Sequence, residues 1–103
     1  MMTRAIVDVP FGRKSIKGIV HHALSQTRRV RWSKYELLDL VRDRTGEMTT
    51  DASVDAAFRR VRALCGGKGV WHSAPRPKTK GRVWTYVYLG GPIKARYRGE
   101  AVR

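Results

Sequence analysis

Arg59, Arg60 and Arg62 stand among alanines in the stretch Thr49 to Leu64. A guanidinium is a planar fork of donors that meets phosphate oxygens, or the O6/N7 edge of guanine, two bonds at a time. Short neighbours such as Ala52, Ser53, Ala56 and Ala63 let the backbone carrying that fork come close to another surface. Asp55 can accept from cytosine N4, or pair with Arg59 four residues on. A second set of cations, Arg76, Lys78, Lys80 and Arg82, lies in a stretch with two prolines and no acid, and Lys68 stands between the two sets. From Asp51 to Arg82 the chain carries eight cations against two acids, Asp51 and Asp55. The residues expected to touch DNA are therefore Ser53, Asp55, Ala56, Arg59, Arg60, Arg62, Lys68, Arg76, Lys78, Lys80 and Arg82. The plain alternative for both sets is a solvated basic surface.

Catalytic chemistry has little to work with. His21, His22 and His72 are too far apart or too badly angled for a triad. Adjacent residues on a helix point about 100° apart, so His21 and His22 cannot comfortably share a metal, and both are expected at exposed positions. No zinc-protease, nucleophile-elbow or phosphate-loop spacing occurs. We expect no enzyme, no cofactor and no metal.

The whole chain extends the local charge bias. Its 22 Lys and Arg against 8 Asp and Glu give a formal net charge of +14 over 103 residues. Such an excess repels itself and implies a polyanionic partner, first of all nucleic acid. An anionic membrane surface is the other candidate. No apolar run is long enough for a span and no charged-then-apolar leader opens the sequence, so no membrane is expected. The single cysteine, Cys65, excludes an internal disulfide and is expected in the core. These features predict a cytoplasmic, nucleoid-associated protein.

The elements that must position the arginines can be read from periodicity. Thr49, Thr50 and Asp51 offer capping oxygens to a central helix. Its apolar stripe is Val54, Ala57, Phe58, Val61 and Leu64, with the alanines and arginines opposite. A first helix over about Arg13 to Gln26 presents Ile16, Ile19, Val20, Ala23 and Leu24, with Gly18 an interruption that something closely packed would explain. Ser33 and Glu36 form a capping box opening a second helix to about Arg44, in which Leu37, Leu38, Leu40 and Val41 are apolar, and which stops at Thr45-Gly46. Val30 and Trp32 suit a single rung paired to a sheet. Val70 to Ala74 and Val83 to Leu89 read as strands around the basic loop. Trp32, Trp71, Trp84 and Tyr86 are expected in the core, with stacking on single-stranded bases as the other use. Residues 1–12 form an N-terminal arm with a short strand over Ala5 to Val9, 13–91 the domain, and 92–103 a basic C-terminal tail.

In order these parts are helix, short strand, helix, helix, strand, basic loop, strand. That order resembles the winged helix-turn-helix family over about residues 13–89. Val30-Arg31-Trp32 match its first strand, Ser33 to Arg44 its second helix, Asp51 to Leu64 its recognition helix and Arg76 to Arg82 its wing. The resemblance implies an α+β fold of three helices with a small antiparallel sheet and a basic wing. It also implies a recognition helix in the DNA major groove and a wing at the minor groove or its phosphates. The central helix offers no Asn or Gln for adenine; Arg59 is the candidate for a guanine contact, and Lys78 and Lys80 for phosphate contacts. Small phage-type and actinobacterial-type regulators are similar in size and charge. The expected role is sequence-preferring binding to double-stranded DNA by a small transcriptional regulator, or by an architectural factor in recombination or nucleoid packing, as a homodimer or a cooperative array. The alternatives are a protein-interaction module whose basic face binds an acidic partner protein, and RNA binding.

Overall fold

The computed structural model describes residues 6–75 and 83–100. In chain order the elements are β1 (Ile6–Val9), α1 (Ile16–Gln26), β2 (Trp32–Ser33), α2 (Lys34–Thr45), α3 (Asp51–Leu64), β3 (Trp71–Pro75), β4 (Trp84–Tyr88) and β5 (Lys94–Tyr97). The fold is α+β, with three helices around one core and a small antiparallel sheet.

Local chemistry sets most helix ends. Thr50, not Asp51, caps α3: its side chain accepts from the Ser53 backbone N–H at 3.2 Å. The α2 capping box is present in both directions, Glu36 N–H donating to Ser33 Oγ and Ser33 N–H to Glu36 Oε1. Gly46, in the left-handed region at φ 71°, ends α2 where a side chain would be strained. Helix α1 starts three residues later than its periodicity suggests, because Ser15 is the cap and accepts from Gly18 N–H. Gly18 is required: a Cβ there would overlap the Gly12 carbonyl as the chain folds back over the helix start.

Val54, Ala57, Phe58 and Val61 of α3 are buried as expected. Leu64 is not; it is 45% exposed. A 100° step carries position 64 roughly 80° from the direction of Val54, whereas position 65 returns close to it. Cys65 accordingly packs, half-buried, against the core, and its burial raises the thiol pKa.

The sheet runs β2-β4-β3, all antiparallel. Trp32 pairs with Tyr86 and Ser33 with Thr85, so the short strand read over Val30 to Trp32 lies later, and Val30 is outside it and 53% exposed. Strands β3 and β4 run in register from Trp71↔Tyr88 to Pro75↔Trp84. The basic loop between them, with Arg76, Lys78, Lys80 and Arg82, lies outside the described residues.

The largest departure is at the two ends of the chain. Segments read as an arm and a tail pair with each other in parallel, Ile6↔Lys94 through Val9↔Tyr97. They deliver Val9, Phe11 and Tyr97 to the core. Gly90-Gly91-Pro92 is thus a turn within the structure rather than its end. This second layer also buries His21, expected at the surface but only 1% exposed. His21 Nδ1 lies 2.8 Å from the Tyr97 hydroxyl, and its ring packs on Phe11, Trp71 and Tyr97. Among the described residues, no helix is long and apolar enough to cross a membrane.

Candidate nucleic-acid interface

Helix α3 turns its apolar stripe inward, so the residues between the stripes must face out. Ala52, Ser53, Ala56, Arg59, Arg60 and Ala63 are all exposed. Four of these six have side chains no longer than serine, and the two arginines therefore stand proud of a low surface. The Arg59 side chain is 70% exposed, yet its Nη2 is held by an ion pair with Asp55 at 2.8 Å. The other Asp55 oxygen accepts from the Tyr86 hydroxyl at 2.9 Å. Burial and this carboxylate both push the Tyr86 phenol far above its ordinary range, so it remains a donor. Asp55 is thus fully engaged within the protein, by Arg59 as well as by the sheet.

Arg62, placed by periodicity on the flank of the same face, behaves differently. It is half-buried, its Nη1 reaches Ser73 Oγ on β3 at 3.4 Å, and its guanidinium lies 5.8 Å from the Phe58 ring centre. It spans from α3 to the sheet. Asp51 pairs with Lys34 at 3.2 Å, a contact that lowers the Asp51 carboxyl pKa. At the first turn of α3, that carboxylate also opposes the positive end of the helix dipole.

These contacts outline a groove between α3 and the β3–β4 sheet, with a volume of about 650 Å³. Asp55 and Tyr86 lie along it with Arg59, Arg62 and Lys68, and the Lys34–Asp51 pair lines it too. Lys68 comes from the glycine turn after α3, where Gly67, at φ 79°, donates to the Arg62 carbonyl. On the other flank of α3, Ser53, Ala56 and Arg60 line a shallower depression of about 420 Å³ with Ile16 and Lys17. The helix is therefore a ridge with a basic groove on one side.

Trp84 lines the groove and is 40% exposed, so its expected place in the core is not where it lies. Trp71 and Tyr86 are buried and Trp32 is partly buried. Lys34 is a groove residue that sequence reasoning missed, and Trp84 is one it placed first in the core, with base stacking as the other use. Nothing local marks Lys34, which is simply the first residue of α2; Trp84 is marked only by its place next to the basic loop. A further cationic cluster, Arg28, Arg29 and Arg31, is exposed on the turn before β2, with Arg29 at φ 66°.

The acids are distributed unevenly. Asp8, Asp51, Asp55 and Glu100 are each in an ion pair. Glu36 is used in the capping box, and Asp39, Asp43 and Glu47 lie exposed on α2 and just beyond it. Among the described residues, no three His, Cys, Asp or Glu side chains gather to hold a metal ion. No family model matches the chain, and no curated protein or solved structure matches it either.

Proposed function

We propose that the chain is a winged helix-turn-helix protein that binds double-stranded DNA, as a small transcriptional regulator or architectural factor. The observation that carries this reading is the outward face of α3, where from Ala52 to Ala63 the exposed residues are either small or arginine. The order α1, β2, α2, α3, β3, β4 and the strand order β2-β4-β3 support the same reading. In it, α3 enters the major groove, about 12 Å wide, with Ala52, Ala56 and Ala63 permitting close approach. Arg59 gives one donor to Asp55 and keeps its others for guanine O6 and N7. Arg60 meets phosphate. Lys68 and the cations of the loop after β3 hold the flanking backbone.

The decisive measurement is affinity for a duplex as salt is raised. With about six phosphates neutralised, log K falls against log salt with a slope of about −5. A flat slope, or no binding at low salt, discards the duplex reading and leaves the acidic-partner module. Displacement by structured RNA more readily than by duplex DNA assigns the basic surface to RNA.

A further inference from the structure

We propose that the groove between α3 and the β3–β4 sheet takes an unstacked nucleotide, its base on the Trp84 ring and its phosphate on Arg62 and Lys68. The inference rests on the DNA-binding reading above and adds a second kind of contact to it.

The argument begins with the ring itself. Tryptophan is the largest apolar surface a side chain offers, and Trp71, on the neighbouring strand, is wholly buried. Trp84 instead leaves 40% of itself exposed inside a recess. It shares a sheet face with Tyr86, two residues on, whose hydroxyl is tied to Asp55. The recess therefore has a fixed floor and an aromatic wall. Its volume, about 650 Å³, falls in the range of about 300–1,000 Å³ typical of sites for small molecules.

Charge then selects the class of ligand. Four cations line the groove, Lys34, Arg59, Arg62 and Lys68, against two acids. Asp51 is already matched by Lys34 and Asp55 by Arg59, while Arg62 is directed to the neutral Ser73 hydroxyl. The excess is positive, beside an open π-face. An anion with a flat apolar part fits that combination, and a nucleotide is such an anion. Every base has a π-face, so stacking here is tolerant of sequence. Inside a regular duplex both faces of each base are already stacked. The Trp84 ring can therefore be used only by a base out of the stack, in a bulge, a kinked step or a single strand. For an apolar ligand without charge the four cations would be idle, and for a bare phosphate the indole would be.

Three DNAs test this: a flush duplex, the same duplex with one extra unpaired thymine, and a thymine single strand. The expected result is roughly tenfold tighter binding to the bulged duplex or the single strand than to the flush duplex, with quenching of tryptophan fluorescence. Whichever of the two is preferred identifies the source of the unstacked base. Trp84→Ala should erase the preference and leave flush-duplex affinity unchanged, whereas Trp84→Phe should keep most of it. Equal affinity of the parent protein for all three, each with a steep salt dependence, overturns the stacking site and leaves the duplex reading standing; this holds whether or not the alanine variant folds. Preference for unpaired DNA that survives in both Trp84 variants overturns it too. Absence of salt-dependent binding to any of the three removes the DNA reading along with it.

Discussion

Asp55 holds Arg59 with one oxygen and takes the Tyr86 hydroxyl with the other, so three residues on two elements set where one guanidinium points. A pre-positioned arginine loses less freedom when it meets a base edge. In the DNA-binding reading, Arg59→Ala should lose about 1–3 kcal/mol on a preferred site and much less on random duplex, compressing the ratio. Tyr86→Phe should move the ratio the same way by less. Equal weakening on both DNAs would make α3 a phosphate clamp and the protein an architectural binder. Another residue, His21, contributes to the acid response of the fold. Burial lowers the pKa of His21 to about 4 from an ordinary 6.5, and His22, shifted mainly by partial burial, moves the same way. In the unfolded chain both take up protons near pH 6.5, so between pH 6.5 and 4 the unfolded state binds more protons than the native one. Stability is therefore complete above that window and declines as pH falls through it, at up to about 1.4 kcal/mol per pH unit for His21. Urea midpoints measured from pH 7 down to 4 should show that decline, and His21→Gln, which keeps a polar group beside Tyr97 without a titrating ring, should remove most of it.

The helices were the most legible elements because their signals are local. The Ser33–Glu36 box, the Gly46 stop and the Val54–Phe58–Val61 stripe each lie within one or two turns of the atoms they satisfy. Legibility failed where a stripe met its end. A stripe read by threes and fours admits Leu64, yet the helical angle favours Cys65, and that is where burial falls. The two leucine-or-aromatic truncations should therefore behave very differently. Phe58, fully buried with its ring centre 4.6 Å from that of the tilted Tyr86 ring, should cost about 2–5 kcal/mol as Phe58→Ala. Leu64→Ala should stay within about 0.5 kcal/mol in thermal or denaturant unfolding. A loss for Leu64 matching that for Phe58 would mean that the end of α3 packs against something in solution. His21 was misread for a different reason. A helix in a two-layer fold has one dry side, but α1 is covered on a second side by Phe11, just before it, and by Tyr97, which lies 76 residues beyond His21 in sequence.

At the scale of the molecule, the termini decide what the sequence hid. Ile93, Ala95 and Tyr97 alternate with Lys94, Arg96 and Arg98, the period-two pattern of a strand with one dry face. The cations between them make the stretch look like a solvated tail, and the turn at Gly90-Gly91-Pro92 looks like a terminus. A parallel partner cannot be found by looking for a hairpin, because β1 is nearly the whole chain away. The resulting pair ties first and last segments together, helped by Arg96 with Asp8 and by Arg13 with Glu100 at 2.6 Å. If that layer is part of the core, ending the chain after Gly91 should do more than remove charge. It should leave β1 unpaired and strip Tyr97 from His21, costing at least the roughly 3–5 kcal/mol of a large buried aromatic. The melt followed by circular dichroism should drop steeply or lose its sigmoid shape. Arg96→Gln with Arg98→Gln keeps the strand and removes two cations, so it should melt close to the parent while weakening DNA binding. Were the shortened chain to melt with the parent, the strand pair would be an ornament on the three-helix core, and the neutral, buried state of His21 would have to be maintained by Trp71 and Phe11 alone.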